Sequence, residues 1–89
     1  MATNRDKIRA YVLINLRIGT TTEVLDKLKA VPSVINVAST TGLFDVVVKL
    51  EVDHISELET IITEQIHSID GIVKTETEMI IRELDMDDE

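Results

Sequence analysis

The segment 40–45 holds the residue types that could bind a small zwitterion. It reads Thr-Thr-Gly-Leu-Phe-Asp, so the Asp45 carboxylate, the backbone amides at Gly42 and an apolar wall from Leu43 and Phe44 lie close together. A free amino acid needs these groups, because a carboxylate binds its ammonium, amide or hydroxyl donors bind its carboxylate, and a shaped pocket binds its side chain.

Thr75 and Thr77 would add further polar partners for such a ligand. Because side chains two residues apart on a strand share a face, both hydroxyls would point the same way. An ordinary hairpin turn followed by β-branched strand formers explains the same residues at least as well. The residues alone therefore leave a ligand site and a turn as open alternatives.

Other sets of reactive residues are incomplete. The chain has no Cys, which excludes disulfides, thiolate metal ligands and a cysteine nucleophile. Glu64 and His67 have the i, i+3 spacing of metal sites in helical bundles, but such sites need further glutamates from facing helices, so a solvated helix face is favoured. The glycines are isolated at Gly19, Gly42 and Gly71 and form no phosphate-binding motif. We expect no catalytic residue, no metal and no cofactor.

Composition narrows the classes of function. The 89 residues suffice for one domain, and the net charge of -8 disfavours direct binding to nucleic acid. No apolar run exceeds the five residues 10–14, so we expect neither a membrane span nor a signal peptide. The absence of Cys favours a cytoplasmic location. Aromatic residues are 2% of the chain, so the core relies on Ile, Val and Leu, and self-association is expected to complete it.

Periodicity predicts the element order β-α-β-β-α-β. Thr20 and Glu23 fit a capping box at the start of a first helix that Pro32 ends, and His54 takes the cap position of the second helix. The predicted strands cover residues 10–18, 34–40, 45–52 and 72–82, and the second helix covers residues 55–69. This order predicts an α+β, ferredoxin-like fold, in which a four-stranded antiparallel sheet carries two helices on one face.

The alternation also predicts the content of the uncovered sheet face. Tyr11, Leu13 and Val47 fall on that face, which is too apolar to remain in water. Scattered surface residues are the alternative, but the weak core favours packing against a second copy, as a sheet-face dimer. On the last strand, alternation places five residues on one side: Val73, Thr75, Thr77, Met79 and Ile81.

The two ends of the sequence differ in charge. Residues 1–9, with Arg5, Lys7 and Arg9, are predicted to be an N-terminal arm. Residues 10–82 are predicted to form the ferredoxin-like ligand-binding domain. Residues 83–89 contain five acidic residues in seven and are predicted to be a solvated acidic tail.

Four segments, taken in order, resemble a known family. They are the strand 10–14, the turn Gly42-Xaa-Xaa-Asp45 leading into 46–49, the helix end 66–71 and Thr75-Xaa-Thr77. With them, residues 10–84 resemble the effector-binding domain of the leucine-responsive regulatory protein and AsnC family, also known as the regulation-of-amino-acid-metabolism domain. The resemblance implies a ferredoxin-like fold, dimers formed by sheet faces, and rings of dimers, often octameric, with amino acids bound between dimers.

The resemblance also implies roles for individual residues. Asp45 would hold the ammonium of an amino acid, the amides of the Gly42 turn its carboxylate, and the hydroxyls of Thr75 and Thr77 would complete the polar shell. Only nine residues precede the first predicted strand, so the chain resembles the stand-alone form that lacks a helix-turn-helix domain for DNA.

The function implied is a non-catalytic, oligomeric amino-acid sensor. It would modulate transcription through ligand-dependent assembly or through co-assembly with full-length family regulators. Two alternatives stay open at this point. One is a structural or interaction module that assembles without a ligand. The other, less favoured, is a dimeric α+β barrel enzyme, for which His54 or His67 would have to point into a closed pocket.

Overall fold

The computed structural model describes residues 7–84 and residue 86. Most of the predicted basic arm and acidic tail, residues 1–6, 85 and 87–89, lies outside the described residues. The strands are β1 (Ile8–Leu16), β2 (Val34–Ser39), β3 (Val46–Val52) and β4 (Ile72–Met79). The helices are α1 (Thr21–Lys29) and α2 (Ile55–Thr60), and α2 continues as a π-helical segment, Ile61–Ile66.

The strands form one antiparallel sheet in the order β2-β3-β1-β4. β1 lies between β3 and β4, and Ile14 is opposite Val46 on one side and Thr75 on the other. Both helices pack against the same face of the sheet, where the buried residues form one cluster. The predicted α+β, ferredoxin-like fold is confirmed.

Alternation along β1 and β3 builds the core. The fully buried residues of these two strands are Ala10, Val12, Ile14, Val46, Val48 and Leu50. The helical segments cover them with Val24, Leu28, Leu58, Ile61 and Ile66. Burial of each larger aliphatic side chain contributes about 1.5–3 kcal/mol, so this single layer is the main source of stability.

The second helix changes its winding halfway. Ile61 and Ile66 are both buried, yet five residues of an α-helix would separate their directions by about 140°. The π-helical turn is wider and brings both onto the sheet, and the N–H of His67 donates to the carbonyl of Ile62 at 2.7 Å. The sequence predicted one continuous helix over residues 55–69, so its start is confirmed and the change of winding was missed.

The two helix starts differ from each other. The predicted capping box of Thr20 and Glu23 is wrong, because the Thr20 hydroxyl donates to the carbonyl of Arg17 at 2.7 Å instead of capping α1. His54 is the N-cap of α2, as predicted. There the Glu57 carboxylate accepts a hydrogen bond from the backbone N–H of His54 at 3.4 Å. The side chain three residues further on therefore provides an acceptor for a backbone donor at the helix start.

β1 is shifted by two residues from its predicted bounds of 10–18. It begins at Ile8, because pairing with β3 continues to Ile8↔Val52. It ends at Leu16, because the chain then turns through Gly19, whose φ of +88° suits a residue without a Cβ.

β4 also departs from the predicted pattern. The register with β1 shifts between Asn15 and Leu16, and a one-residue shift exchanges the two faces of a strand. Ile72 therefore packs against the core, whereas Val73 is exposed. β4 ends at Met79 rather than at residue 82, and Ile81 is 97% exposed.

Gly71 provides a test of the packing between α1 and β4. Its φ is +108°, and a Cβ there would lie 2.7 Å from Thr20 Oγ1 and 2.9 Å from Val24 Cγ2. We predict that Gly71→Ala lowers the free energy of unfolding by about 2–4 kcal/mol, because the cost of the strained backbone adds to the cost of overpacking. Chemical denaturation measures the loss.

Gly42→Ala is the matched control for this substitution. Gly42 does not have a positive φ, and a Cβ there would meet nothing within 4 Å. We expect a change below about 0.5 kcal/mol. Equal losses for the two variants would contradict the packing around Gly71.

Candidate functional site

The loop between β2 and β3 is closed by its own hydrogen bonds. The N–H of Thr40 donates to the carbonyl of Asp45 at 2.9 Å, and the Thr40 hydroxyl donates to the carbonyl of Phe44. Thr40 thus fixes the loop from inside, although the sequence analysis gave it no such role. Its spacing from Asp45 is the only signal that could have indicated it.

Asp45 fastens this loop to β1. Its N–H donates to the carbonyl of Ile14 at 2.9 Å, and its Oδ2 accepts the N–H of Leu16 at 2.8 Å. The carboxylate therefore satisfies a backbone donor at the end of β1, where the ladder of the sheet stops. Oδ2 thus serves the fold, and among the described residues no hydrogen bond to Oδ1 of Asp45 is found.

The loop keeps several donors exposed. Within residues 7–84, none of the N–H groups of residues 41–44 donates a hydrogen bond to another backbone or side-chain group. Thr41, Gly42 and Leu43 are exposed, Leu43 to 88%, and Phe44 is half-buried. The loop thus presents amide donors, a carboxylate oxygen and an apolar side chain, which are the groups that a zwitterion requires.

The two threonines of β4 lie on the helix side of the sheet. Thr77 is opposite the buried Val12, and Thr75 is opposite the buried Ile14. The Thr75 hydroxyl lies 3.4 Å from Nδ1 of His67, beyond the end of the π-helical segment, while Thr77 is exposed. Sequence analysis missed this contact because it spans the turn at Asp70.

The predicted ligand-binding residues form two groups rather than one pocket. The first, Gly42, Leu43, Phe44 and Asp45, precedes β3, and the second, Thr75 and Thr77, lies on β4. β1 runs between these strands, so β3 and β4 lie two strand spacings, about 10 Å, apart. Within one chain, the two predicted groups therefore lie on opposite sides of β1.

Neither histidine has the surroundings of a catalytic group. His54 and His67 are both exposed. Two surface clefts lie elsewhere, one beside α2 and one between α1 and β2, and neither is lined by a predicted site residue. Among the described residues, no three His, Asp or Glu side chains are grouped to hold a metal ion. In the same part of the chain, no helix is long and apolar enough to cross a membrane.

The open sheet face carries an apolar patch. Leu13 lies opposite Val47, which in turn lies opposite Ala38 of β2. Tyr11 lies two residues before Leu13 on β1, on the same face, and is 38% exposed. Lys49 Nζ lies 5.8 Å from the centre of the Tyr11 ring. The three residues predicted for a dimer interface are therefore neighbours on one surface, which Ala38 extends.

Charged residues occupy the other end of this face. Arg9 donates to Glu51 at 2.9 Å and to Glu83 at 2.8 Å, and Lys49 forms an ion pair with the same Glu83. The hydrogen bonds from Lys49 and Arg9 lower the pKa of the Glu83 carboxyl below its usual value. Glu83, predicted as the first residue of a solvated tail, is anchored, and Arg9 belongs to β1.

The comparisons with known proteins all indicate the same protein family. Residues 9–89 match the family model described as the Lrp/AsnC ligand binding domain. The chain is 33% identical over 75 residues to the HTH-type transcriptional regulator FL11 of Pyrococcus furiosus, a match that covers 84% of this chain and 49% of that protein. The chain spans about half the length of the curated relatives it matches.

Solved structures show the same fold. The protein TTHA0845 of Thermus thermophilus is 31% identical with a TM-score of 0.82, and the match covers 88% of this chain and 98% of that one. A transcriptional regulator of Neisseria meningitidis, NMB0573, solved as a complex with L-Met, gives a TM-score of 0.85 over 96% of this chain and 58% of that one. At 11% identity, the second likeness concerns the fold alone.

The hydrogen bond of Asp45 yields a test of its structural role. We predict that Asp45→Ala lowers the free energy of unfolding by about 1 kcal/mol, because the N–H of Leu16 loses its acceptor. Asp45→Asn keeps an oxygen for that N–H and should lose less than half as much. Chemical denaturation of both variants measures the difference. Identical losses would show that the bond to Leu16 does not matter.

The ion pairs of Glu83 yield a second test. The pKa of Glu83 lies below the ordinary 4.5, so its pairs stabilise the fold above that pH and are lost as the pH falls through the lowered pKa. We expect Lys49→Met to raise the pKa of Glu83 towards 4.5, because one of the two cations that lower it is removed. An NMR titration of the Glu83 carboxyl measures this pKa. Lys27→Met, on α1, should leave it unchanged. An unshifted pKa in the unmodified protein would contradict the pairing.

Proposed function

The chain belongs to the Lrp/AsnC ligand-binding domain family, and on that premise we propose that it is a non-catalytic module that senses a free amino acid and influences transcription through its assembly. The relative FL11 is a transcriptional regulator, which supports the regulatory part of the proposal. The L-Met bound to the Neisseria regulator supports an amino acid as the class of ligand. A cytoplasmic location is part of the same proposal.

The observation that carries this proposal is the exposed loop at residues 41–45. Its N–H groups at 41–44 have no acceptor among the described residues, and Asp45 uses only Oδ2 for the fold. The other oxygen of Asp45 would accept from a ligand ammonium, while the amides near Gly42 would donate to its carboxylate. Leu43 would contact the ligand side chain, which favours an apolar or small amino acid.

The threonines would complete the site in an assembly. Because β1 separates them from the loop in one chain, we propose that Thr75 and Thr77 act on ligand held by the loop of a neighbouring subunit. A ligand that touches two subunits stabilises the assembly as well as the fold. Ligand binding and assembly would therefore be coupled, so that the ligand would change the oligomeric state of the module.

The open face would supply the first contact between subunits. Its patch of Tyr11, Leu13, Val47 and Ala38 is continuous and partly exposed. A two-fold dimer brings the same patch of each chain together and buries both. Dimers joined in this way could associate further into a ring, up to an octamer, or co-assemble with full-length family regulators.

The direct test is a thermal unfolding series with each of the twenty amino acids. A ligand selective for the folded assembly, at about 100 times its Kd, adds about 2.7 kcal/mol and raises the Tm by about 10 °C or more. Calorimetry then gives the Kd of each candidate that shifts the Tm. A Tm that none of the twenty amino acids changes would overturn amino-acid sensing.

Variants locate the site. We predict that Asp45→Asn weakens binding by about a hundredfold, because the charge that pairs with the ammonium is lost while the bond to Leu16 is kept. Thr77→Val should weaken it by about tenfold, since it removes one hydroxyl at nearly constant volume. Thr63→Val, on the outer surface of the π-helical segment, is the matched control and should bind normally.

A second candidate is a scaffold that assembles without a ligand. The hydrogen bonds from the Leu16 N–H to Asp45 and from the Thr40 hydroxyl to Phe44 favour it, because they give the loop a structural role that needs no ligand. Sedimentation separates the two candidates. A scaffold keeps one assembly state in every amino acid solution, whereas a sensor shifts its mass or its dissociation constant.

A further inference from the structure

The chain beyond β4 forms ion pairs with residues of the open face of its own sheet. The N–H of Ile80 still donates to the carbonyl of Arg9 on β1, at 3.0 Å. Three residues later, Glu83 pairs with Lys49 on β3. Since β1 lies between β4 and β3, the side chains of Glu83 and Lys49 meet across β1 on the uncovered side, and we name the segment 80–84 the strap.

Glu83 is the point at which the strap is held. One of its carboxylate oxygens accepts from Arg9 and the other from Lys49. The side chains of Lys49 and Arg9 are only 19% and 25% exposed, so these charges are already partly removed from water. Arg9 has a second carboxylate in Glu51, whereas Glu83 is the only carboxylate paired with Lys49 among the described residues.

The position of Lys49 makes this pairing important for any contact on the face. Lys49 lies opposite Tyr11 and next to the apolar patch. A partner molecule that covers the patch therefore also removes the Lys49 ammonium from water. Burying an unpaired charge is costly, and a paired one much less so. Removing only the carboxylate would leave the ammonium uncompensated in the interface.

We propose that the strap is a charge-neutralising element of the interface between two copies of this chain, in which Glu83 makes the Lys49 end of the open face fit for burial. The inference rests on the proposed function, because it takes the open face to be the dimer interface. Lys49 and Glu83 are thereby residues that set the strength of assembly, in addition to the apolar patch.

The occupant of the face is a second copy because of the charge pattern. With the strap in place, Arg9 and Lys49 are matched by Glu51 and Glu83, so this part of the face attracts neither a strongly acidic nor a strongly basic partner. An apolar patch beside a neutral cluster suits an identical surface. Glu76 and Glu78 lie on the same face, opposite Leu13 and Tyr11, but on the outer strand β4, so in a dimer they would border the patch at the hydrated rim.

The test is a charge-removal cycle measured by sedimentation over a dilution series of the full chain. We expect Glu83→Gln to weaken dimerisation by about tenfold or more, because Lys49 loses its partner. The double variant Glu83→Gln with Lys49→Met should return to within about threefold of the unmodified protein, since no lone charge remains. Glu59→Gln, on the outside of α2, makes the same charge change and should dimerise normally.

The outcomes separate this inference from the proposed function. If the unmodified protein dimerises and Glu83→Gln dimerises equally well or more tightly, the role of the strap is overturned and the sheet-face dimer stands. If Glu83→Gln weakens dimers but the double variant is no better, Glu83 does not act through Lys49 and the inference fails. If the unmodified protein stays monomeric at all concentrations, both the inference and the proposed assembly are wrong.

Discussion

The central constraint on this structure is the double pairing of β1. A strand with neighbours on both sides cannot rotate, so its alternate residues are committed to opposite faces of the sheet. Val12 and Ile14 then belong to the core beneath the helices, and Tyr11 and Leu13 necessarily belong to the other face. Because the described residues provide only two helical segments, and both pack on the first side, the second face stays uncovered within one chain.

The same constraint explains why the predicted ligand-binding residues fall into two separate groups. β1 separates the loop that ends at Asp45 from the strand that carries Thr75 and Thr77. The strands that carry these residues are two strand spacings apart, which is about 10 Å. The proposed site therefore draws on two chains, with the loop of one and the threonines of another. Under the proposed function, assembly and ligand recognition are therefore coupled.

Local patterns predicted the fold well because the core obeys them. Strand alternation and the helix start at His54 depend on residues close in sequence, and both were found. The bulge that exposes Val73 and the π-helical turn were missed, because both depend on contacts across the sheet. The candidate site was predictable in its residue types but not in its hydrogen bonds, since the bond from Leu16 to Asp45 joins residues 29 apart. Glu83 was assigned to a solvated tail because ion pairs between distant residues leave no periodic signal.

The distribution of charge is compatible with the proposed self-association of an acidic chain. The net charge of -8 would oppose contact if it were spread evenly, because like charges repel. No Lys or Arg lies between Glu51 and Lys74, so the helical segment over residues 55–66 is acidic, and it lies on the side away from the open face. On the open face, Arg9 and Lys49 meet carboxylates of their own chain. Arg9, Lys49, Glu51 and Glu83 thus form a locally neutral cluster beside the apolar patch, although Glu76 and Glu78 lie opposite Leu13 and Tyr11 on the same face. The proposed dimer would keep the acidic helices of its two copies on the far sides of their sheets.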